Sequence, residues 1–323
     1  MRFRSGPRLP VPTSEIGVGM WGMGGWSGAD DRESNRALDR AVDLGCNFFD
    51  TAWAYGDGHS ERLLGSLRRR YPRQQLLLAS KVPPKNLRWP GKAATPADDV
   101  FPYQHVVTYT EMTLSNLGVE TLDVQQLHVW DDSWTAAHGW RDAIADLKRA
   151  GKIRSFGISI NRWEPQNVMR VLETGLVDAV QVVYNVFDQA PEDVLFPACQ
   201  RLGVAVIARV PFDEGSLTGT LSAESRWPDG DWRNTYFAPP YLMDTLPRVA
   251  AVAHDAELLG TSLPELALRF ILSHPAVTTT IPGMRRVAHV EANVAAAARG
   301  PLPVDVIAHL RRHRWNRVPD DRP

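Results

Sequence analysis

The chain has 323 residues, 44% hydrophobic and 23% charged, which supplies a large apolar core and excludes disorder, collagen and coiled coil. Its 36 Lys and Arg against 37 Asp and Glu leave a net charge of -1, so no global field is available to hold nucleic acid or an anionic membrane. Small molecules are the expected partners, and the length admits one large α/β barrel as readily as two ordinary domains.

Cys46 and Cys199 each sit among apolar residues, which fits buried thiols in a reducing compartment better than a disulfide framework. The amino terminus is basic like a signal n-region, yet Pro7, Pro10 and Pro12 stand where an apolar stretch would run. No run approaches the ~18 consecutive apolar residues a membrane span needs, the stretch 266–272 being broken by Arg269. A cytoplasmic protein with no membrane contact is expected, and its oligomeric state is left open.

From residue 34 onward, β-branched or apolar runs alternate with stretches whose apolar positions recur three or four apart, the pattern of βα units. Strand 16–20 precedes helix 32–44, strand 46–50 precedes helix 60–69, and strand 76–80 precedes helix 103–116. Strands 124–128, 153–158 and 179–183 lead into helices 140–149, 165–173 and 192–201, and strands 204–208 and 278–281 into helices 263–272 and 287–297. Eight such units predict an α/β fold, a single (β/α)8 TIM barrel spanning residues 1–323.

Gly45, Gly118, Gly151, Gly175 and Gly203 follow helices as C′ residues do, so the helix-to-strand turns are short. Two strand-to-helix loops are long, 82–102 after strand 3 and 211–240 after strand 7. They carry Trp89 and Phe101, and Trp227, Trp232, Tyr236 and Phe237, on the C-terminal face where βα barrels build their sites, and so read as substrate walls or lids. Residues 300–323 form a polar C-terminal extension around one short helix, 305–312, placed to cap or cross the barrel.

Four titratable residues fall at or just beyond the ends of three strands: Asp50 and Tyr55, Lys81, and His128. Alone, Asp50 reads as a turn cap, Lys81 as a solvated loop residue, Tyr55 as packing and His128 as satisfied structure. Together on one rim they divide the labour of acid catalysis. Lys81 beside Tyr55 is expected to lower the phenol's pKa and make it a proton donor, Asp50 to fix Lys81, and His128 to hydrogen-bond a substrate oxygen. His128 with Asp131 and Asp132, which read as solvated, lacks the further ligands of a metal shell, so no metal site is expected. Trp21 and Trp130, following strands, are placed as linings of the substrate mouth.

The run Phe49-Asp50-Thr51-Ala52-Trp53-Ala54-Tyr55-Gly56, followed by Ser60-Glu61 and Leu64-Gly65, resembles the signature of the aldo-keto reductases. Ser80-Lys81 and Leu127-His128 fall where that family carries its lysine and histidine. Gly157-Ile158-Ser159, Gln181 to Asn185, Gly215 to Gly219 and Ile281-Pro282-Gly283 with Asn293 are similar, in order, to its cofactor-side segments. The resemblance covers nearly the whole chain.

It implies a barrel that binds an extended nicotinamide dinucleotide without a Rossmann domain and reduces an aldehyde or ketone by direct hydride transfer, with Tyr55 as general acid. By the same resemblance Ser159 and Gln181 hold the nicotinamide amide. Arg209, Val210, Pro211 and Phe212 pass along the ring and pyrophosphate, while Gly283, Arg285, His289 and Asn293 surround the adenosine end. In three places the chain departs from the family's pattern. Ile160 follows Ser159 where many members have asparagine, which here comes as Asn161; Arg209 replaces a stacking aromatic; and Gly283 takes the place of a phosphate-binding lysine. A guanidinium against the ring is expected to bias the enzyme toward reduction. Arg285 and Arg286 become the candidate forks for a 2′-phosphate, so NADPH (NADP+) is the expected cofactor, with NADH second.

Two rivals are a non-enzymatic nicotinamide-binding regulatory or scaffold barrel, against which the intact quartet argues, and a metal-assisted hydrolase or isomerase, which needs more strand-end ligands. Sugars, steroids, xenobiotic aldehydes and natural-product ketones all remain candidate substrates.

Overall fold

The computed structural model describes residues 1–25 and 28–317. Eight parallel strands follow one another in a single sheet: β1 (Val18–Gly19), β2 (Phe48–Asp50), β3 (Leu77–Val82), β4 (Leu122–Leu127), β5 (Ile153–Ser159), β6 (Ala179–Val183), β7 (Ala205–Arg209) and β8 (Val277–Thr280). Bridges between Ile16 and Thr280 and between Gly19 and Gly283 join the first strand to the last, closing the barrel. Six-residue β3 and β4 are buried throughout, as parallel strands covered on both faces must be.

Alternation along the strands sorts the interior by height. Phe48, Leu77, Ala79, Val124, Ala179, Ala205 and Ile207 pack as one apolar cluster inside the barrel. Two residues further along, on the same inward side, come Asp50, Lys81, Gln126 and Gln181, so the polar layer lies at the C-terminal ends.

The outer helices are α1 (Asp31–Asp43), α2 (His59–Arg70), α3 (Tyr103–Leu117), α4 (His138–Arg149), α5 (Met169–Leu172), α6 (Leu195–Leu202), α7 (Leu263–Ser273) and α8 (Val287–Ala298). Asp30 caps α1 by accepting from the N–H groups of Arg32 and Glu33, and Gly118 ends α3 in the left-handed conformation at φ 66°.

Some elements differ from expectation. The helix expected at 165–173 is a single turn, α5, because Trp163 takes φ 61° and Asp132 captures the N–H groups of Arg170 and Val171. The helix expected from residue 192 begins at Leu195, behind a 3-10 turn at Ala190–Glu192. The tail helix runs Val304–Leu310 and tightens into a 3-10 turn, Arg311–His313. An antiparallel pair, Phe3–Arg4 with Thr13–Ser14, brings Leu9 against the interior cluster; two-residue strands carry no readable period. An additional 18-residue helix, Tyr241–Leu258, fills the stretch between the loop 211–240 and α7, with Pro247 inside it.

Cys46 and Cys199 are free and buried, and burial pushes both thiols up to about 12. No helix among the described residues is long and apolar enough to cross a membrane.

Candidate active site

Lys81 has no exposed surface, and its Nζ donates to Asp50 Oδ2 at 2.6 Å, to the Thr51 carbonyl at 2.8 Å and to Tyr55 Oη at 3.3 Å. Burial works against the ammonium, but the charge and hydrogen bonds of Asp50 and Tyr55 outweigh it and raise the Lys81 pKa. The tyrosine corrects the sequence expectation. Burial raises its pKa, with Asp50 adding to the effect, and this outweighs the lowering by Lys81, so Tyr55 rests as a neutral phenol. The His128 ring meets the Tyr55 ring edge-on at 5.7 Å. Burial first, then Lys81 and Arg209, holds His128 well below its ordinary pKa, so the imidazole is neutral, and its buried Nδ1 has no partner within the protein.

Asp50 is held from its other side as well. Its Oδ1 accepts from Gln181 Nε2 at 2.8 Å and from Gln126 Nε2 at 3.1 Å, and Gln181 also reaches Gln126 Oε1 at 3.3 Å. Gln126 was missed in the sequence, although it lies two residues before His128 on the same strand face. Gly157 makes room for it, since a Cβ there would lie 2.9 Å from Gln126 Cγ. Glu61, also fully buried, accepts from Ser80 Oγ at 2.6 Å, Thr113 Oγ1 at 2.7 Å and Asn116 Nδ2 at 2.7 Å. It pins α2 and α3 to β3 and so fixes the loop that carries Tyr55.

Trp21, partly exposed just after β1, lies 5.4 Å from the Trp232 ring, and Trp89 meets His128 edge-on at 5.9 Å. Trp130, expected beside them, is instead fully buried against Trp134 and Trp140. Asp131 and Asp132 are not solvated either. Asp131 accepts from the N–H and hydroxyl of Ser133, and Asp132 caps α5, so both are structural.

Among the residues expected to hold the cofactor, Ser159 pairs in register with Gln181. Asn161 is turned away, because its Nδ2 donates to the Gly91 and Trp130 carbonyls at 3.0 and 2.8 Å and its Oδ1 accepts from Gly91 N–H at 3.2 Å. It staples the loop after β3 instead of offering a carboxamide contact. Arg209 ends β7 and donates to the Ile160 carbonyl at 3.0 Å. Burial and Arg162 lower its pKa, and its charge acts on both Tyr55 and His128. Val210, Asp213 and Glu214 adopt left-handed φ values of 56°, 46° and 57°. Pro211 and Phe212 lie within this turn, Phe212 packing against the core.

At the other end of the proposed binding path, Arg286 lies 3.9 Å from Glu33, and burial with both neighbouring arginines lowers the His289 pKa. Asn293 is buried, and its Nδ2 has no partner within the protein. A Cβ at Gly215 or Gly283 would meet no atom within 4 Å. Backbone open to approach, an orphaned amide donor and two adjacent arginines fit a polyanionic, amide-bearing dinucleotide. Among the described residues no group of three or more His, Cys, Asp or Glu is arranged to hold a metal ion.

The aldo-keto reductase YhdN of Bacillus subtilis is 28% identical over 90% of this chain and 87% of its own length. The NADH-specific methylglyoxal reductase of Escherichia coli is 26% identical over 90% of this chain and 93% of its own length. Among solved structures, the holo form of aldo-keto reductase AKR11C1 from Bacillus halodurans superposes with a TM-score of 0.78 at 25% identity, covering 99% of this chain and 98% of that one. The glycerol dehydrogenase AKR11B4 from Gluconobacter oxydans gives 0.79 at 25% identity, covering 98% and 97%. Nothing in these relatives supports a non-enzymatic role. The profile described as Aldo/keto reductase family matches residues 15–314, and the chain belongs to that family of NAD(P)-dependent carbonyl reductases.

Proposed function

We propose that this enzyme reduces an aldehyde or ketone to an alcohol with NADPH as the preferred cofactor, Tyr55 donating the proton to the carbonyl oxygen. The observation that carries the reading is the buried chain Asp50, Lys81, Tyr55, in which one ammonium bridges carboxylate and phenol at 2.6 and 3.3 Å. A phenol kept neutral by burial holds its proton until negative charge develops on a bound oxygen, and the adjacent ammonium then favours the phenolate left behind. His128, neutral, donates a hydrogen bond to the same oxygen and orients the carbonyl without adding charge. Ser159 and Gln181 would hold the nicotinamide amide, Arg209 to Phe212 the ring and pyrophosphate, and Gly283, Arg285, Arg286, His289 and Asn293 the adenosine end. The bound nicotinamide supplies the hydride. Arg209, a buried cation at the end of β7, would disfavour the oxidised form of a nicotinamide held here and so bias the enzyme toward reduction.

The substrate class follows the mouth. Trp21, Trp89 and Trp232 favour an apolar or ring-bearing carbonyl compound over a free sugar. Fluorescence titration with NADPH and with NADH, followed by turnover on aromatic and aliphatic aldehydes, tests the reading. Tighter NADPH binding with oxidation on aromatic aldehydes is expected; binding without turnover on any carbonyl compound would overturn it.

A further inference from the structure

Arg317 is the last described residue of the tail, yet its side chain is only 3% exposed. The guanidinium meets carboxylates from two separate loops: Asp188, after β6, through Nε at 3.1 Å and through Nη2, and Asp213, after β7, through Nη1 at 2.7 Å. Nη1 also donates to Tyr241 Oη at 2.5 Å, and the guanidinium lies over the Trp163 and Trp315 rings at 5.0 and 4.9 Å. The approach to this position is itself fixed. Trp315 N–H donates to the Phe187 carbonyl at 2.9 Å, its ring stacks on Tyr241 at 5.2 Å, and upstream His309, Arg312 and His313 converge on Asp255.

Asp213 belongs to the turn in which Val210, Asp213 and Glu214, none of them glycine, are left-handed. Such backbone persists only where its surroundings hold it. Three side chains do so here: Asn185 Nδ2 donates to the Val210 carbonyl at 3.0 Å, Arg162 pairs with Glu214 at 2.8 Å, and Arg317 pairs with Asp213. Asp213 is 1% exposed, and a carboxylate so buried is costly without a cation beside it.

We propose that Arg317 is a positioning residue of the cofactor site: by clamping Asp188 to Asp213 it locks the turn 210–215, which presents the backbone of residues 215–219 to the dinucleotide phosphates. The inference rests on the reading of residues 209–219 as the cofactor-side segment. Arg317 acts through Asp213 and makes no contact with the cofactor itself.

Arg317→Met and Arg317→Lys test it. Without cofactor, amides 210–219 of Arg317→Met exchange hydrogen at least tenfold faster than in the parent protein, while those of β3 and β4 keep their protection. With NADPH, Kd by tryptophan fluorescence and KM rise tenfold or more, a larger change than that in kcat. Arg317→Lys, which keeps the charge without the fork, recovers part of the affinity. If Arg317→Met does not fold, the triple variant Asp188→Asn, Asp213→Asn, Arg317→Met removes the buried charges together and is read in the same way. Parental exchange and parental NADPH affinity in either folded variant overturn the proposal. A parental protein that binds neither NADPH nor NADH overturns the reading of the cofactor segment instead, and the exchange measurement still decides the clamp.

Discussion

Lys81 Nζ lies 2.6 Å from Asp50 Oδ2 with both side chains withdrawn from solvent, so the centre of the site is a buried ion pair whose ammonium also reaches the Thr51 carbonyl and Tyr55. Removing one partner of such a pair costs about 3–5 kcal/mol, because the other charge is left uncompensated. Lys81→Met is therefore expected to lower Tm by roughly 6–10 °C, at about 2 °C per kcal/mol for a large domain. A thermal scan of the purified variant beside the parent checks this, and an unchanged Tm would show that the pair is not formed.

Tyr55→Phe keeps the ring, its packing on His128 and the Asp50–Lys81 pair, and removes only the proton donor. Its kcat should fall about 10²- to 10⁴-fold, while Kd for NADPH changes by less than about threefold. Single-turnover oxidation of NADPH together with fluorescence titration separates the two effects. Undiminished turnover would mean that another group protonates the product.

His128 gives the pH dependence a sign. Its folded pKa lies well below 6.5, so between these values the unfolded chain takes up a proton that the native protein does not. Stability from this group is therefore complete above about pH 6.5 and falls as pH drops toward the folded pKa, by at most about 1.4 kcal/mol per pH unit. His105, His274 and His289 are shifted in the same direction and add to the slope. Urea unfolding of His128→Asn between pH 5 and 7 should show a shallower loss than the parent; equal slopes would place His128 protonated in the fold.

Arg285 and Arg286 are predicted to discriminate between cofactors through the 2′-phosphate. A charge-assisted hydrogen bond contributes about 1.5–3 kcal/mol, so Arg285→Ala with Arg286→Ala should weaken NADPH binding at least about tenfold and leave NADH binding nearly as it was. Titrations with both nucleotides at two salt concentrations check the prediction, and equal losses for both would assign the arginines to something other than the 2′-phosphate.

Chain-local signals carried much of this. Helices such as α3 and α4 were readable because an apolar stripe at helical spacing and a glycine stop, Gly118 and Gly151 here, are properties of neighbouring residues. Asp50, Tyr55, Lys81 and His128 were readable as a group because each falls at the same end of a parallel strand, and closure of a barrel brings those ends onto one rim. The α5 segment was misread because the carboxylate that caps its first turn and sets its start, Asp132, sits on a different loop.

What only the tertiary structure decided is how burial and distant charge act on those residues. Strand-end positions place Lys81 next to Tyr55 and so point to a lowered phenol pKa, but the sign is set by the depth of the site, and burial wins. Trp130 follows a strand just as Trp21 does, yet Trp130 is fully buried against Trp134 and Trp140 while Trp21 stays exposed beside Trp232 from the distant loop after β7. The pairing of Arg317 with Asp188 spans 129 residues and leaves no trace in local pattern. Periodicity and strand-end chemistry are written residue by residue, whereas desolvation and ion pairing depend on what the folded chain brings together.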